Sequence, residues 1–347
     1  MKTLMITSTR AGAGKTTVAL GQSLQWKENG LKIGYFKPWA DRIQYQESDA
    51  LDKDSVLFAQ TLALQQAPHE LSLIYNYPKL AGDNRNTEEE LLQSLEERHN
   101  QLANDKDCLI VEGPRNCFHG TYAELGAGSI ARRLDAETIL VAKGDSSLVA
   151  DRIIACTRLF RSFDVKVRGV IVNRAEDPEH VHSELEPPLK RKGIEILTVL
   201  PEISDLASLT PRLIANGLGA SVLAGEEGLD KQIRNTHVGA MTISKALGPM
   251  RKFKDIALIT GGDRTDMQLA AFEVSINCFI LTGGIYPEPT VLAKADDLNV
   301  PVLLVSEFTY QTARKIEHMV PTVEARDRDK IRKIRKLIGN PLNISTI

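Results

Sequence analysis

The sequence predicts an α/β protein: a doubly wound, mostly parallel sheet domain followed by a smaller α/β domain. Three observations predict it. Apolar runs without polar alternation, such as "CLIVEGP", "ETILVAKG" and "VRGVIVNRA", suit strands buried on both faces. Helix-like segments separate these runs, the rhythm of parallel β-α-β units. The first apolar run also leads directly into "TRAGAGKTT", a glycine-containing turn that opens a helix.

In chain order, "KTLMITS" reads as a strand and "GKTTVALGQSLQWKEN" as the helix after it. "LKIGYFKP" is the next strand, stopped by Pro38. "TEEELLQSLEERHNQLAND" is a polar-faced helix, with Thr87 as N-cap and Glu90 three residues on. The three β-branched runs follow. Pro201, Pro211 and a cluster of small and acidic residues mark a domain boundary. Beyond it, "IALITGGDRTDMQLAAF" and "CFILTGGIYPEPTVLAKADDL" echo one another: strand, Thr-Gly-Gly, then helix or turn. "NVPVLLVSEFTYQTARKIEHM" adds a strand and a helix, and "DRDKIRKIRKLIGNP" a basic helix suited to packing or a dimer contact. The expected organisation is a first domain over 1–205, a linker over 206–215, a second domain over 216–325 and a tail over 326–347.

Composition excludes several classes. The 347 residues carry a formal charge of −2, with a pI near 6.4. That balance argues against a nucleic-acid binder working by phosphate neutralisation. No apolar run approaches the roughly 20 residues that span a bilayer, so no membrane role is expected. The N-terminus runs straight into the glycine turn and reads as no export signal, which implies a cytoplasmic protein. Cys108, Cys117, Cys156 and Cys278 have no metal-binding or C-x-x-C spacing and are expected to be reduced and scattered.

The glycine turn is a phosphate-binding loop, one residue longer than G-x-x-x-x-G-K-[ST]. The usual spacing would put its first glycine at Thr9; starting from Ser8, five residues precede Gly14-Lys15-Thr16. Ser8, Thr9, Arg10, Ala11, Gly12, Ala13, Gly14, Lys15, Thr16 and Thr17 would then cradle a nucleotide. Backbone N–H groups and the helix N-terminus attract the phosphates. Lys15 meets the β- and γ-phosphates, and the Thr16 hydroxyl binds Mg²⁺.

This loop and the segments after it resemble dethiobiotin synthetase over residues 1–205. "GYFKPWA" resembles that family's Lys-Pro strand, which makes Lys37 the substrate-contacting, catalytic lysine beside Lys15. "DKDSVLF" resembles the segment supplying a Mg²⁺-binding aspartate, in a register that gives Asp54, with Asp52 as the alternative. "LIVEGP" makes Glu112 the second acidic Mg²⁺ ligand, and "VIVNRA" makes Asn173 an adenine contact. The chemistry agrees: magnesium on ATP takes one or two carboxylates, and a strand's carboxyl end opens into the ligand crevice. The plainer alternatives are a solvated strand end for Glu112, a helix cap for Asp54, and turn residues at Lys37 and Asn173. Arg10 departs from the family's usual acidic residue and suits phosphate, a dimer partner's nucleotide or solvent. "PRNCFHG" replaces the family's glycine-rich substrate segment, so the biotin-precursor pocket is not carried over.

Residues 216–325 resemble a DRTGG domain through Gly262-Asp263-Arg264-Thr265 and Thr282-Gly283-Gly284. Two strands ending in Gly-Gly would leave bare N–H groups at a sheet edge. Gly261, Gly262, Asp263, Arg264, Gly283 and Gly284 would thus form a site for a small anionic metabolite or nucleotide. Asp263 and Arg264 equally suit an ion pair fixing the turn. The pairing of the two domains resembles the N-terminal regulatory region of long phosphotransacetylases, without the acetyltransferase domain. The resemblance implies a Mg-ATP-binding homodimer that regulates acyl-phosphate metabolism through an acyltransferase in trans. The alternative is a free-standing ATP-dependent ligase that phosphorylates a carboxylate or carbamate. A glutaminase-linked synthetase is excluded, because Cys278 lies in an apolar strand and His318 lacks a His-x-Glu partner.

Overall fold

The computed structural model describes residues 1–46, 49–73, 88–206, 208–239 and 241–339. Thr87, expected to cap a helix, lies outside them. The chain forms two compact units, Met1–Glu202 with Val323–Ile347, and Ile203–Thr322.

The first unit is built on six parallel strands: β1 (Lys2–Ser8), β2 (Ile33–Phe36), β5 (Cys108–Glu112), β6 (Glu137–Lys143), β7 (Val167–Ala175) and β8 (Ile196–Pro201). Their order is β2-β5-β1-β6-β7-β8. A separate antiparallel hairpin, β3 (Ile43–Gln46) with β4 (Asp49–Asp52), follows β2. Helices α1 (Lys15–Glu28), α2 (Lys53–Thr61), α3 (Glu88–Ala103) and α4 (Ser147–Ser162) link the strands. β1 sits centrally, flanked by β5 and β6, with Ile6 opposite Glu112 and Ser8 opposite Val141. Leu4, Met5 and Ile6 are fully buried, as are Leu109, Ile110 and Val111 in β5. That two-sided burial explains why these runs show no polar alternation.

The C-terminal helix Arg328–Ile338 lies along α1. Gly21 lacks the Cβ that would come within 2.3 Å of Ile338, and Arg335 pairs with Glu28 at 2.8 Å. Ile334 and Ile338 are buried together with Lys330, while Arg332, Arg335 and Lys336 are exposed. The cysteine expectation is corrected here. Cys117, in the loop after β5, and Cys156, on α4, are joined as a disulfide with Cα atoms 6.3 Å apart. Loop and helix meet through the fold although 39 residues separate the two in sequence. Cys108 and Cys278 are buried and free.

The second unit has strands β9 (Ser221–Ala224), β10 (Asn235–Val238), β11 (Ile256–Gly261), β12 (Ile276–Thr282) and β13 (Val302–Leu304). They lie in the order β10-β11-β12-β13-β9, parallel except for β9. Alternate residues serve opposite faces. Ile256, Leu258, Phe279 and Leu281 pack with Met267, Ala271 and Ala295 on one side. Ala257, Ile259, Cys278 and Ile280 pack with Ile214, Ala215 and Ile316 on the other. Helices α5 (Thr265–Ala271) and α6 (Thr309–Glu317) therefore contribute to opposite layers. The two-sided core is the reason "ALIT" and "FILT" are wholly apolar up to the threonine.

Candidate functional site

The phosphate-binding loop spans the gap between β1 and α1, beside the ends of β5, β6 and β7. Two contacts close its start: the Thr9 amide donates to the Val141 carbonyl at 3.0 Å, and Ser8 Oγ donates to the carbonyls of Arg10 and Arg115. Its end depends on glycine. Gly14 has φ +96°, and a Cβ there would lie 2.1 Å from the amide nitrogen of Asn173. Asn173, buried at the end of β7, uses that nitrogen to donate to the Ala13 carbonyl at 2.8 Å. It thus ties the loop across 160 residues of sequence.

Lys15 begins α1, and its ammonium donates to the Arg115 carbonyl at 3.2 Å. Burial lowers its pKa, with Glu112 and Asp41 opposing. A desolvated ammonium held by a single carbonyl favours a new anionic partner. Thr16 Oγ1 donates to Glu112 Oε1 at 2.8 Å, and Tyr35 donates to Glu112 Oε2 at 2.9 Å. The Tyr35 ring is fixed by stacking on Phe58 with centroids 3.7 Å apart. Thr17 occupies the next position of α1, its Cβ close to Gly14. Arg10 is exposed at the loop's outer edge, and Ala11 and Gly12 complete the turn.

Glu112 is 2% exposed, and burial pushes its carboxyl up to about 7, helped by Asp54 and opposed by Lys37 and Lys15. Its folded pKa lies above the ordinary carboxyl value, so its contribution to stability is present in acid and lost as pH rises towards 7. Replacing it with neutral Gln should therefore leave stability unchanged near pH 4 and raise it above pH 7. The gain is on the order of 2 kcal/mol. Denaturant titration of Glu112→Gln and wild type across that range measures it; equal differences at both pH values would contradict the assignment.

Lys37 and Asp54 meet each other rather than open space. The Lys37 ammonium is 2.5 Å from Asp54, 3.1 Å from Asp52 and 2.6 Å from Asp41. The other Asp54 oxygen accepts from Arg42 at 2.8 Å. Burial acts to raise the Asp54 carboxyl, yet Lys37 and Arg42 hold it down at about 2. Asp52 caps α2 through the amides of Asp54 and Ser55. Thr16 and Glu112 bring a hydroxyl and a carboxylate together beside the loop, oxygen donors of the kind magnesium takes, whereas both Asp54 oxygens are engaged by cations. Tyr35, Asp41 and Arg42 were not singled out in sequence. The only local hint is that "KPWADR" places Asp41 four residues after Lys37.

In the second unit the glycines serve loop packing. The Gly283 and Gly284 amides, expected to be bare, donate to the carbonyls of Glu307 and Val305, each at 2.9 Å. A Cβ on Gly262 would fall 1.7 Å from the Ile285 carbonyl oxygen. Gln268, fully buried on α5, donates to the carbonyls of both Gly261 and Gly262. Arg264 pairs with Asp266 at 3.4 Å and the Met241 carbonyl at 3.2 Å, so the turn's ion pair is not with Asp263, which is exposed. Arg264 thereby fastens the turn to the segment before it. Burial pushes the Cys278 thiol far above its ordinary pKa, consistent with a packing role.

A glycine loop between a central parallel strand and its helix, with Lys15, Thr16 and Glu112 converging on it, defines a P-loop α/β protein. A family model described as AAA domain (AAA_26) matches residues 2–210, and the DRTGG domain model matches residues 213–319. The chain belongs to the AAA_26 family of P-loop domains, here joined to a DRTGG domain. The phosphate acetyltransferase of Synechocystis sp. is 27% identical over 95% of this chain and 49% of its own length. That of Pseudomonas aeruginosa is 27% identical over 99% and 51%, and that of Escherichia coli K12 is 21% identical over 99% and 52%. The chain thus spans about half the length of the curated relatives it matches. Among solved structures, the MinD cell division protein of Aquifex aeolicus is 17% identical over 59% of this chain and 84% of its own, with a TM-score of 0.39. The CBS and DRTGG domains of Clostridium perfringens pyrophosphatase, complexed with diadenosine tetraphosphate, are 22% identical over 35% and 52%, with a TM-score of 0.28. Among the described residues no helix is long and apolar enough to cross a membrane.

Proposed function

We propose that the chain binds Mg-ATP at the loop Ser8–Thr17 and senses a small anionic metabolite or nucleotide through its DRTGG unit. Together these regulate acyl-phosphate metabolism of the phosphotransacetylase type. The observation that carries the nucleotide reading is the convergence of Lys15, Thr16 and Glu112 on one glycine turn. Magnesium there would neutralise phosphate charge. Thr16 and Glu112 would hold it, Lys15 would meet the phosphates, and the Asn173 side chain would keep the loop in shape at the base end. The likeness to phosphate acetyltransferases along nearly the whole chain supports the acyl-phosphate connection. Within that reading an acyltransferase is the partner acted on, and a homodimer the working form.

The ligase alternative asks Lys37 to meet a substrate, for which its ammonium would first have to leave the three carboxylates that it bonds. The test is calorimetric titration with Mg-ATP, together with ADP release in the presence of carboxylated metabolites. Tight binding without metabolite-stimulated turnover, and a changed rate of an added phosphate acetyltransferase, are expected. Metabolite-stimulated ADP release would replace regulation with ligation, and no heat of binding would end the nucleotide reading. Sedimentation as a monomer with ATP present would reject the homodimer.

A further inference from the structure

The strand end at Lys37 carries an arrangement the nucleotide reading does not use. Asp41, Asp52 and Asp54 each place a carboxylate oxygen within 4.8 Å of the others, a grouping that suits a divalent cation. A cation is already there. The Lys37 ammonium donates to all three, and its side chain is only 3% exposed. Its three N–H groups are therefore matched by three acceptors.

The carboxylates are not equivalent. Asp52 is fully buried and holds the local backbone: Oδ1 accepts from the amides of Asp54 and Ser55, and Oδ2 from those of Asp41 and Arg42. It cannot turn away without opening the cap of α2 and the chain at 41–42. Among the described residues the Asp54 carboxylate meets side chains alone, Lys37 on one oxygen and the part-exposed Arg42 on the other. Asp41 is also part-exposed and meets Arg115 at 3.5 Å. Asp52 is thus the fixed anchor for Lys37, while Asp41 and Asp54 can exchange partners.

We propose that Lys37 is a built-in substitute for a divalent cation: it closes the Asp41–Asp52–Asp54 group while no anion competes for its ammonium. The group then refuses free metal and releases Asp54 only when an anion arrives to draw the ammonium away. Three carboxylates facing Lys37, Arg42 and, at 3.5 Å, Arg115 leave no net charge, too little to hold a divalent ion beside a buried ammonium. Removing the ammonium leaves one net negative charge and three converging carboxylate oxygens without their shared donor, a set that suits such an ion. The identity of the anion as nucleotide phosphate rests on the proposed function; the exclusion of free metal does not.

The test uses the full chain and Mn²⁺ alone, with binding read by electron paramagnetic resonance and by thermal denaturation. Wild type should bind Mn²⁺ weakly without nucleotide. Lys37→Met should bind it at least about 100-fold more tightly and gain thermal stability from it. Equal Mn²⁺ affinity in the two proteins, at either strength, would overturn the proposal. Should Lys37→Met fold only with Mn²⁺ present, that dependence supports it. Should it fold in neither condition, the double variant Lys37→Met/Asp41→Asn, which lowers the uncompensated charge, decides. Mn²⁺ binding tighter than wild type supports the proposal, and binding no tighter overturns it. Failure of wild type to bind Mg-ATP would remove the nucleotide reading and leave this nucleotide-free comparison standing.

Discussion

Lys15→Ala should weaken Mg-ATP binding by about 10- to 100-fold while leaving the fold as stable as wild type. A charge-assisted bond to phosphate contributes about 1.5–3 kcal/mol, and each 1.4 kcal/mol is a factor of ten in affinity. The second half of the expectation follows from the ammonium's surroundings. Among the described residues its one hydrogen bond is to the Arg115 carbonyl, and burial already lowers its pKa. Removing a poorly compensated cation costs the folded state little, and the Arg115 carbonyl keeps the Ser8 hydroxyl as a donor. Calorimetry for affinity and a melting curve for stability measure the two halves separately. A variant that binds as wild type does would mean that the turn does not use Lys15 for phosphate. A variant that melts well below wild type would mean that the ammonium's role is structural.

The split between local and long-range features explains what could be read from the residues alone. The Gly-Lys-Thr turn and the apolar strands are encoded within a few neighbours, and they appear where the periodicity places them. Lys37 shows the opposite. Its partners Asp52 and Asp54 arrive only because the hairpin β3–β4 folds back on the end of β2 and α2 starts immediately after it. A reader of "FKPWADR" sees a lysine before a proline and has no means of counting three carboxylates around it. The resemblance of "VIVNRA" points to Asn173 as an adenine contact, whereas its bond to Ala13 depends on the order of strands β1, β6 and β7. The Cys117–Cys156 pair depends likewise on a loop after β5 reaching α4. In the second unit the repeated Gly-Gly signalled a special backbone, and it is special for a reason the residues do not state. The glycines let one loop press on another, and two of their amides are consumed by that packing.

That packing makes Gly262→Ala the most damaging small substitution expected in the second unit. The added methyl would sit 1.7 Å from the Ile285 carbonyl oxygen and 2.5 Å from its carbon. Backbone, unlike the end of a flexible side chain, cannot yield without moving its neighbours. Ile285 follows Gly283 and Gly284, whose amides are fastened to Val305 and Glu307, so displacing one loop strains the exit of β13 as well. Overpacking of this kind costs about 3 kcal/mol or more, which for a unit of this size lowers Tm by roughly 10 °C. Gly217→Ala is the control. The atoms nearest its methyl all belong to Met319, Cε first at 2.7 Å, a side-chain end that can swing aside, and alanine gains up to about 1 kcal/mol of helix propensity there. Differential scanning calorimetry of the two variants separates the causes. If both melt with wild type, the close approach of Gly262 to Ile285 carries no energy. If both fall equally, added bulk anywhere in the unit is the cause. A large fall confined to Gly262→Ala makes the contact between the two Gly-Gly loops the element that holds Arg264 and its neighbours in place.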